Sequence, residues 1–379
     1  MTKKAHIAVI GASAFGGWTA LNLMRAGAKV TIIDAWGPGN PRASSGGDTR
    51  IMRGTYGPAE IYTGMAARSL DLWKECQFSW GRSVYHRTGV LWMVSGPDDI
   101  YEEAALEALE QHGLAYDRLT VDEAAERYSQ INFDGVRWAI YEHDAGYLSA
   151  RLACQLLLKE LVRNGVDFRL LEARPGTIRH GEMDGVRLSD GSTLVADQYV
   201  FACGPWLGKL FPEILDSLIR PTRQEVFFFG PPAGSRSFLE GNLPVWIDHS
   251  DAIMYGIPGD ESIGFKIGDD RRGPAFDPTS GDRLPTIQAI ESVRRYIKHR
   301  FPAMAAAPLV NARICQYENT PDHNFIIDRH PQARNICLVG GGSGHGFKHG
   351  PAVGETVCAM ILKGATANPV FSLSRFSRL

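Results

Sequence analysis

The feature that most constrains the fold is the opening segment, residues 6–34, in which two apolar runs flank a glycine-containing turn and a helix-compatible segment. The first run, His6–Ile10, ends at Gly11; the helix-compatible segment begins near Phe15, and the second run ends in Asp34. This order predicts a strand, a helix and a parallel strand, with an acidic residue roughly 20 residues after the glycines. A helix that begins directly after such a turn offers unpaired N–H groups and a positive dipole end to a pyrophosphate. The segment therefore predicts dinucleotide binding.

Individual residues of this unit have distinct expected roles. Gly11 permits the tight turn, Gly16 lets the helix pack closely on the strand, and the Asp34 carboxylate accepts hydrogen bonds from ribose hydroxyls. A carboxylate at this position disfavours a 2′-phosphate, so NAD or FAD is expected rather than NADP. Ser13 replaces the usual second glycine; its side chain limits how closely the backbone approaches the phosphate, although its hydroxyl can donate to it. The expected cofactor-binding residues here are Gly11, Ser13, Ala14, Phe15, Gly16 and Asp34.

Charge, composition and cysteine usage exclude several classes of protein. The 379 residues carry a formal net charge of -2, which gives no basis for a nucleic-acid or anionic-membrane partner. No apolar stretch approaches the roughly 18 residues that span a bilayer, and the start of the chain leads directly into the first strand, without room for a signal peptide. The six cysteines show no C-x-x-C spacing, which excludes a zinc ribbon or a disulfide framework and predicts a cytoplasmic protein without a metal site.

The first sheet is expected to resume after an insertion of over 100 residues. An amphipathic helix from Ser149 to Asn164 is followed by an apolar strand near Val166, and a further buried strand ends in Gly204. A second apolar strand that ends in glycine is typical of two-lobed flavin domains, so it favours FAD over NAD. Alternating segments between residues 226 and 268 predict an antiparallel sheet with Gly/Pro turns.

Three further features carry possible chemistry. Arg50 and Arg53 are three residues apart, so on a helix they would share a face; they form either an anion site or a solvated basic turn. Lys266 interrupts an apolar strand and either reaches the surface or has a function if it is buried. A second glycine-rich loop, residues 340–348, leads into a helix, and its backbone amides can cradle an anionic or carbonyl-bearing ligand.

Four segments, residues 44–53, 265–268, 315–328 and 342–348, together resemble the monomeric sarcosine oxidase family of flavoproteins. That family includes N-methyltryptophan oxidase, pipecolate oxidase and fructosyl-amine oxidases, and the resemblance extends in order over the whole chain. It implies an α/β fold with a glutathione-reductase-type FAD-binding Rossmann domain and a second, antiparallel-sheet (α+β) substrate domain. The expected boundaries are 1–85, 147–220 and 321–379 for the FAD-binding domain, and 86–146 and 221–320 for the substrate domain.

The resemblance also implies roles for individual residues. Cys315 would hold FAD covalently through a thioether to the flavin 8α-methyl carbon, and Arg50 would pack against one flavin face. Lys266 would lie near flavin N5 and assist oxygen, because a cation in a low-dielectric pocket stabilises the negative charge that develops there. Arg53 and Lys348 would clamp the substrate carboxylate.

The substrate pocket shows both matches and departures from the family pattern. Tyr255 and Tyr317 are expected to line the pocket, whereas Gly46 and Asp270 stand where the family usually has histidine. Asp270 either holds a second basic group of the substrate or belongs to a solvated turn over residues 269–272. The remaining expected cofactor-binding residues are Ser44, Ser45, Thr49, Arg50, Cys203, Gly204, Trp206, Gly342, Gly344, His345, Gly346, Phe347 and Lys348.

The function implied by the resemblance is oxidation of a secondary or N-substituted amino acid by a monomeric FAD enzyme. The C–N bond would become an imine, and O2 would be reduced to H2O2. The alternatives are a flavin amine dehydrogenase with another electron acceptor, a fructosyl-amine-type oxidase, and a flavin-binding protein without turnover. An NAD-dependent dehydrogenase is disfavoured because its chemistry does not call for Cys315 or for a second glycine-rich loop.

Overall fold

Two large β-sheets, one mostly parallel and one mostly antiparallel, organise the computed structural model, which describes residues 4–250, 253–260 and 263–376. Residues 1–3, on which the expectation of no signal peptide partly rests, lie outside the described residues. The strands are β1 (His6–Ile10), β2 (Lys29–Asp34), β3 (Thr49–Met52), β4 (Tyr85–His86), β5 (Val90–Val94), β6 (Tyr116–Leu119), β7 (Trp138–Glu142), β8 (Gly146–Ser149), β9 (Asp167–Leu170), β10 (Ala173–Pro175), β11 (Ile178–Arg179), β12 (Glu182–Met183), β13 (Val186–Leu188), β14 (Thr193–Leu194), β15 (Gln198–Phe201), β16 (Arg220–Phe229), β17 (Val245–His249), β18 (Met254–Ile257), β19 (Phe265–Asp269), β20 (Leu309–Asn319), β21 (Ile326–His330) and β22 (Ala333–Gly340). The α-helices are α1 (Ala14–Arg25), α2 (Glu60–Trp80), α3 (Ile100–Gln111), α4 (Val121–Arg127), α5 (Ala150–Arg163), α6 (Leu207–Leu210), α7 (Pro212–Leu215), α8 (Ile287–Arg300) and α9 (Gly350–Lys363), and short 3₁₀ turns cover Gly204–Trp206, Pro302–Met304, Phe347–His349 and Leu373–Phe376.

The first sheet has the strand order β21-β22-β15-β1-β2-β9. All of its neighbouring strands are parallel except β21, which pairs antiparallel with β22. Its central strands are mostly apolar, and residues such as Ile7, Val9 and Ile32 are fully buried, because other elements cover both faces of the sheet. The predicted βαβ unit and the resumption of this sheet after the insertion are confirmed, and with them the Rossmann-type domain.

Helix α1 packs against both α5 and α9. The contact with α9 is very close, since a Cβ atom added at Gly354 would lie 2.6 Å from the backbone of Trp18. The second glycine-rich loop ends just before α9, so this packing brings it to the start of α1. There a Cβ atom at Gly346 would lie 2.9 Å from the ring of Phe15.

The second sheet has the order β20-β16-β19-β18-β17-β5-β7-β6. Its neighbouring strands are antiparallel, as expected, except for β5 and β17, which pair in parallel. The predicted antiparallel pairing of the strands between residues 226 and 268 is confirmed. Strands β5 and β17 run parallel because they are joined by a long excursion through the first sheet and not by a hairpin. Helix α8 covers one face, where Trp246, Phe265 and Phe301 form an aromatic core.

Strand β20 connects the two sheets. It pairs with β16 in the second sheet along most of its 11 residues, and a short turn then leads into β21 of the first sheet. The strands of the first sheet come from residues 6–34, 167–201 and 326–340, whereas those of the second come from 90–142, 220–269 and 309–319. The exact division into two domains stays a prediction. Within the described ranges, no helix is both long enough and apolar enough to cross a bilayer.

Candidate active site

A cavity of about 760 Å³ opens at the carboxyl ends of β1, β2 and β15. Ligand sites in doubly wound sheets lie at this edge, and the volume falls within the roughly 300–1,000 Å³ typical of small-molecule and cofactor pockets. The residues that were expected to contact a cofactor and that line this cavity are Gly11, Ser13, Ala14, Phe15, Asp34, Ser44, Ser45, Arg50, Cys203, Gly204, Trp206, Gly342, Gly344, Gly346 and Phe347.

The first turn approaches neighbouring backbone so closely that side chains do not fit. Gly11 has a φ of +105°, and a Cβ atom added there would lie 2.3 Å from the carbonyl oxygen of Ala202. Gly16 does not line the cavity; a Cβ atom there would lie 1.9 Å from the carbonyl oxygen of Gly11. The two glycines therefore let β1, α1 and β15 meet at the mouth of the cavity.

The Asp34 carboxylate is fixed by backbone groups at the end of β2. One oxygen accepts a hydrogen bond from the Ala12 N–H at 2.8 Å, and the other accepts from Trp36 and Gly37 at 2.9 and 2.8 Å. A carboxylate has about four acceptor positions, so capacity remains for a ribose hydroxyl on the cavity side.

Some expected cofactor residues lie beside the cavity and not on its wall. Thr49 is buried under Lys266, and Lys348 lies in the 3₁₀ turn at the end of the second glycine-rich loop. His345 packs against the rings of Tyr62 and Phe325, with centroids 4.8 and 4.9 Å away, and its pKa is lowered well below the usual value by burial. Direct contact of these side chains with a cofactor stays a prediction.

Cys315 lies immediately behind the cavity wall. Its Sγ accepts a hydrogen bond from the Arg50 guanidinium at 3.5 Å and donates to the Ser44 carbonyl oxygen at 3.7 Å. Arg50 and Ser44 both line the cavity, as do Gln316 and Tyr317, which follow Cys315 on β20. The thiol therefore lies close to the space that a ligand would fill.

The two arginines of the 44–53 segment point to different places. The possibility that they share one face of a helix is wrong, because residues 49–52 form strand β3, paired antiparallel with β8. Residues three apart on extended backbone point in opposite directions. Arg50 accordingly faces Cys315 and the cavity, whereas the Arg53 guanidinium lies over the rings of Tyr56 and Trp92, 4.4 and 5.1 Å from their centroids.

Lys266 is a buried cation, 4% exposed, on strand β19. Its Nζ donates to the carbonyl oxygen and to the Oγ1 of Thr49 at 3.1 and 3.3 Å, and no acidic partner pairs with it among the described residues. Burial, together with the nearby positive charge of Arg50, lowers the pKa of Lys266 to about 7. Of the two alternatives left open by the sequence, the structure shows the buried one.

Arg53 and Lys348 flank the ring of Tyr56. The Lys348 Nζ donates to the Tyr56 hydroxyl at 2.8 Å and to the His345 carbonyl oxygen at 3.1 Å, while Arg53 stacks on the ring of the same tyrosine. Lys348 is only 4% exposed, and burial and the charge of Arg53 hold its pKa well below the usual value. The nearby carboxylates of Glu142 and Asp270 favour the charged forms of both groups. Among the described residues neither cation forms an ion pair with a carboxylate, so both can still attract an anionic ligand.

Asp270 faces the tyrosine cluster and is not simply part of a solvated turn. Its Oδ1 accepts a hydrogen bond from the Tyr317 hydroxyl at 2.8 Å, and its Oδ2 lies 3.8 Å from Arg272, leaving the side chain 30% exposed. Burial raises its pKa, although Tyr317 and the nearby cations oppose this shift. Tyr255 completes the cluster, with its ring centroid 5.9 Å from the Lys266 Nζ.

The sequence interpretation missed three contributors to the site. Tyr56 bridges the two cations, and Trp36 stacks on Trp206 at the rim of the cavity, with centroids 4.9 Å apart. Glu318 lines the cavity although it is 8% exposed. The sequence signal that could have identified Glu318 is its position directly after Cys315, Gln316 and Tyr317.

A sequence profile of the family described as FAD dependent oxidoreductase matches residues 6–360. The chain belongs to this family. As an FAD-dependent oxidoreductase it is 31% identical to monomeric sarcosine oxidase of Streptomyces avermitilis over 98% of this chain and 97% of that protein. It is also 28% identical to N-methyl-L-tryptophan oxidase of Salmonella gallinarum, over 99% of this chain and 100% of that protein.

Solved structures show the same fold. L-Proline dehydrogenase from P. horikoshii superposes with a TM-score of 0.85 at 24% identity and covers 100% of this oxidoreductase and 99% of its own chain. Fructosyl amine: oxygen oxidoreductase (Amadoriase I) from Aspergillus fumigatus superposes with a TM-score of 0.77 at 23% identity. The match covers 98% of this oxidoreductase and 90% of the Aspergillus chain. These likenesses establish the two-sheet architecture.

The cavity of the oxidoreductase fits FAD. It joins the βαβ turn and Asp34, which suit the adenosine and pyrophosphate half, to the second glycine-rich loop and Arg50 at its other side. Three buried oxygens at its wall, Ser44 Oγ, Ser45 Oγ and Glu318 Oε2, have no hydrogen-bond partner among the described residues. Buried polar atoms are normally satisfied, so these unpaired oxygens point to a polar ligand in the cavity.

Replacement of Gly11 by alanine tests the first turn. We expect Gly11→Ala to lower both the FAD content of the purified protein and its melting temperature, since the new Cβ would collide with the Ala202 carbonyl. The matched control is Gly191→Ala, with a φ of +84° but open space around it, which should cost only about 1–2 kcal/mol of backbone strain. Flavin absorbance per polypeptide and thermal unfolding measure both effects; equal FAD content in the two variants would contradict the assignment.

Proposed function

We propose that this FAD-dependent oxidoreductase is an oxidase of secondary or N-substituted amino acids. The observation that carries the proposal is the pair of cations, the half-buried Arg53 and the buried Lys348, held around Tyr56 beside the FAD cavity. The curated relatives are named for sarcosine and N-methyl-L-tryptophan, which share an α-carboxylate and a secondary amine. An α-carboxylate fits a site that holds two cations, neither of which forms an ion pair with a carboxylate in the part of the chain that the structure describes.

In the proposed mechanism the substrate carboxylate binds between Arg53 and Lys348. Arg53 keeps its charge at all working pH values, and an arriving carboxylate favours the charged form of the buried Lys348, against the effect of burial on its pKa. The substrate amine enters deprotonated, so no side-chain base is required. The residues that border the cavity would hold FAD, which would supply the acceptor for a hydride from the substrate carbon attached to nitrogen. The iminium would lose its N–H proton and be hydrolysed by water, and that proton together with the hydride would reduce O2 to H2O2.

The protein's contribution to the oxygen step is the positive charge of protonated Lys266, which the fold holds at a buried position. A buried cation stabilises negative charge far more strongly than one in water, because the surroundings have a low effective dielectric constant. This observation favours an oxidase over a dehydrogenase with another acceptor, and over a flavin-binding protein without turnover. A fructosyl-amine-type substrate would also place its carboxylate on the same two cations, so it remains within the proposed class.

A covalent FAD link through Cys315 is part of the proposal. Cys315 Sγ lies against Arg50 and Ser44 on the cavity wall. The competing cysteine is Cys203, which itself lines the cavity, but burial raises the pKa of its thiol and the nearby carboxylates of Asp34 and Glu318 add to this effect. A thiol held in its protonated form is a poor nucleophile. The cytoplasmic location and the monomeric state stay predictions.

Anaerobic reduction tests the substrate class. N-Methyl amino acids should bleach the yellow protein, and air should restore the colour with release of H2O2. Arg53→Met should raise KM for these acids roughly 30- to 150-fold, since a lost charged hydrogen bond costs about 2–3 kcal/mol. The corresponding methyl esters should react alike with both proteins. Arg163→Met, which changes an exposed arginine paired with Glu160 away from the cavity, serves as the control. An equal increase in KM for acids and esters would show that Arg53 does not bind the substrate carboxylate.

Replacement of Lys266 by methionine tests the oxygen step. We expect Lys266→Met to slow the reaction of the reduced protein with O2 on the order of 100-fold, the size of effect seen when one electrostatic stabiliser is removed, with a much smaller effect on reduction by substrate. Because the pKa of Lys266 is about 7, the wild-type rate with O2 should fall as pH rises through that value, and the variant should lack this dependence. Stopped-flow measurement of both half-reactions tests this prediction, with the exposed Lys298→Met as the control. Equal slowing of reduction and reoxidation would refute a role of Lys266 in the oxygen step.

Acid precipitation tests the covalent link. The colour of the wild-type protein should remain in the pellet, and that of Cys315→Ser should move to the supernatant, because the serine hydroxyl cannot form the thioether. Cys203→Ser, which changes the cysteine that lines the cavity itself, should keep its flavin in the pellet. Wild-type flavin in the supernatant would leave FAD binding intact and remove Cys315 from that role.

A further inference from the structure

Glu318 is a buried carboxyl group on the cavity wall for which the proposed reaction has no use. It is 8% exposed, and its Oε1 accepts a hydrogen bond from the backbone N–H of Gly342 at 3.2 Å. Its Oε2 is buried and has no hydrogen-bond partner within residues 4–250, 253–260 and 263–376. One oxygen is therefore anchored to the second glycine-rich loop, and the other is left for a ligand.

The neighbours of Glu318 leave room for that ligand. Gly204 and Gly342 lie on either side of the carboxyl group, where added Cβ atoms would come within 3.2 Å of Oε2 and 3.0 Å of Oε1, respectively. Both glycines line the cavity, as does Gln316, which shares a strand face with Glu318. The carboxyl group thus lies between the two loops that border the FAD site.

No cation compensates the charge of this carboxyl group. No basic side chain of the described residues forms an ion pair with Glu318, and its register partner on β16 is Pro221. The second glycine-rich loop presents only the Gly342 amide, and the titratable group that faces Glu318 from the end of β15 is the Cys203 thiol. Burial raises the pKa of Glu318 to about 7, against the opposing effect of the Gly342 N–H.

These surroundings favour the neutral acid over the carboxylate when an anionic cofactor is present. An ionised carboxylate can only accept hydrogen bonds and would repel the FAD pyrophosphate, whereas the protonated acid is an O–H donor. We propose that Glu318 is a cofactor-positioning residue that remains protonated in the FAD-bound protein and donates a hydrogen bond from Oε2 to an oxygen atom of FAD. The proposal rests on FAD binding by the family and is independent of the amine substrate.

A pH dependence with a definite sign follows. Below about pH 7 the acid already carries its proton, so FAD affinity should be constant; above it, binding must take up a proton, and affinity should fall up to about tenfold per pH unit. If the ionised carboxylate instead accepts hydrogen bonds from ribityl or ribose hydroxyls, FAD affinity should rise as the pH increases.

FAD retention in the Cys315→Ser background provides the first test, because any covalent link is absent there. The yellow full-length protein is diluted and ultrafiltered between about pH 6 and about pH 9, and the flavin in the filtrate gives the dissociation constant. With Glu318 present, the constant should rise above about pH 7. With Glu318→Gln, whose amide is a neutral donor at every pH, it should stay at the low-pH value. The proposal is overturned if Glu318→Gln keeps the same slope, if affinity rises with pH, or if Glu318→Gln binds FAD much more weakly at low pH.

Infrared spectroscopy of the unsubstituted holoprotein provides a second measurement that is independent of FAD exchange. At about pH 8, one unit above the pKa of the group without ligand, the spectrum should contain the C=O band of a protonated carboxylic acid, and Glu318→Gln should remove it. Absence of this band from the wild-type holoprotein would refute the proposal even if Glu318→Gln retains less FAD for structural reasons. Neither measurement involves amine oxidation, so a wrong substrate class would leave both results unchanged.

Discussion

The close approach of three backbone segments at the end of β1 determines the rest of the architecture. Strand β15 and helix α1 come so near to the first turn that Gly11 and Gly16 leave no space for a Cβ atom. Helix α9 then packs on α1 through Gly354, with equally little room. This packing joins glycine-rich loops from opposite ends of the chain at one cavity, so a long cofactor can lie between them.

The second theme of the structure is buried positive charge. Lys266 and Lys348 are almost completely buried, and the groups that hold their ammonium ions in the described part of the chain are hydroxyl and carbonyl oxygens and not carboxylates. Burial of a charge without a partner costs stability and shifts its pKa toward the neutral form. The same burial makes these groups respond strongly to negative charge, whether it arrives with a substrate carboxylate or develops during electron transfer.

Strand β20 links the sheet that carries Lys266 to the sheet that carries the βαβ unit. The end of this strand runs along the cavity, so residues on both of its faces reach the wall. Tyr317 contacts Asp270 on the side of the second sheet, and Glu318 contacts Gly342 on the side of the first. A ligand in this cavity is therefore held by both sheets at once, which couples cofactor position to the proposed substrate site.

The sequence by itself determined the βαβ unit, the resumption of the first sheet and the family, because hydrophobic periodicity and glycine positions are local properties of the chain. The glycine-rich turns, Asp34 and Arg50 on the cavity wall were also predictable, since they fall within short motifs. Tertiary structure decided the orientations: Arg50 and Arg53 point apart because β3 pairs with β8, and Asp270 turns to Tyr317. It also decided the environments, because burial and the absence of a counter-charge depend on neighbours distant in sequence. For that reason the shifts that bring the pKa values of Lys266 and Glu318 to about 7 follow only from the packing of the two sheets. The proposed oxygen step and the proposed role of Glu318 both use these shifts.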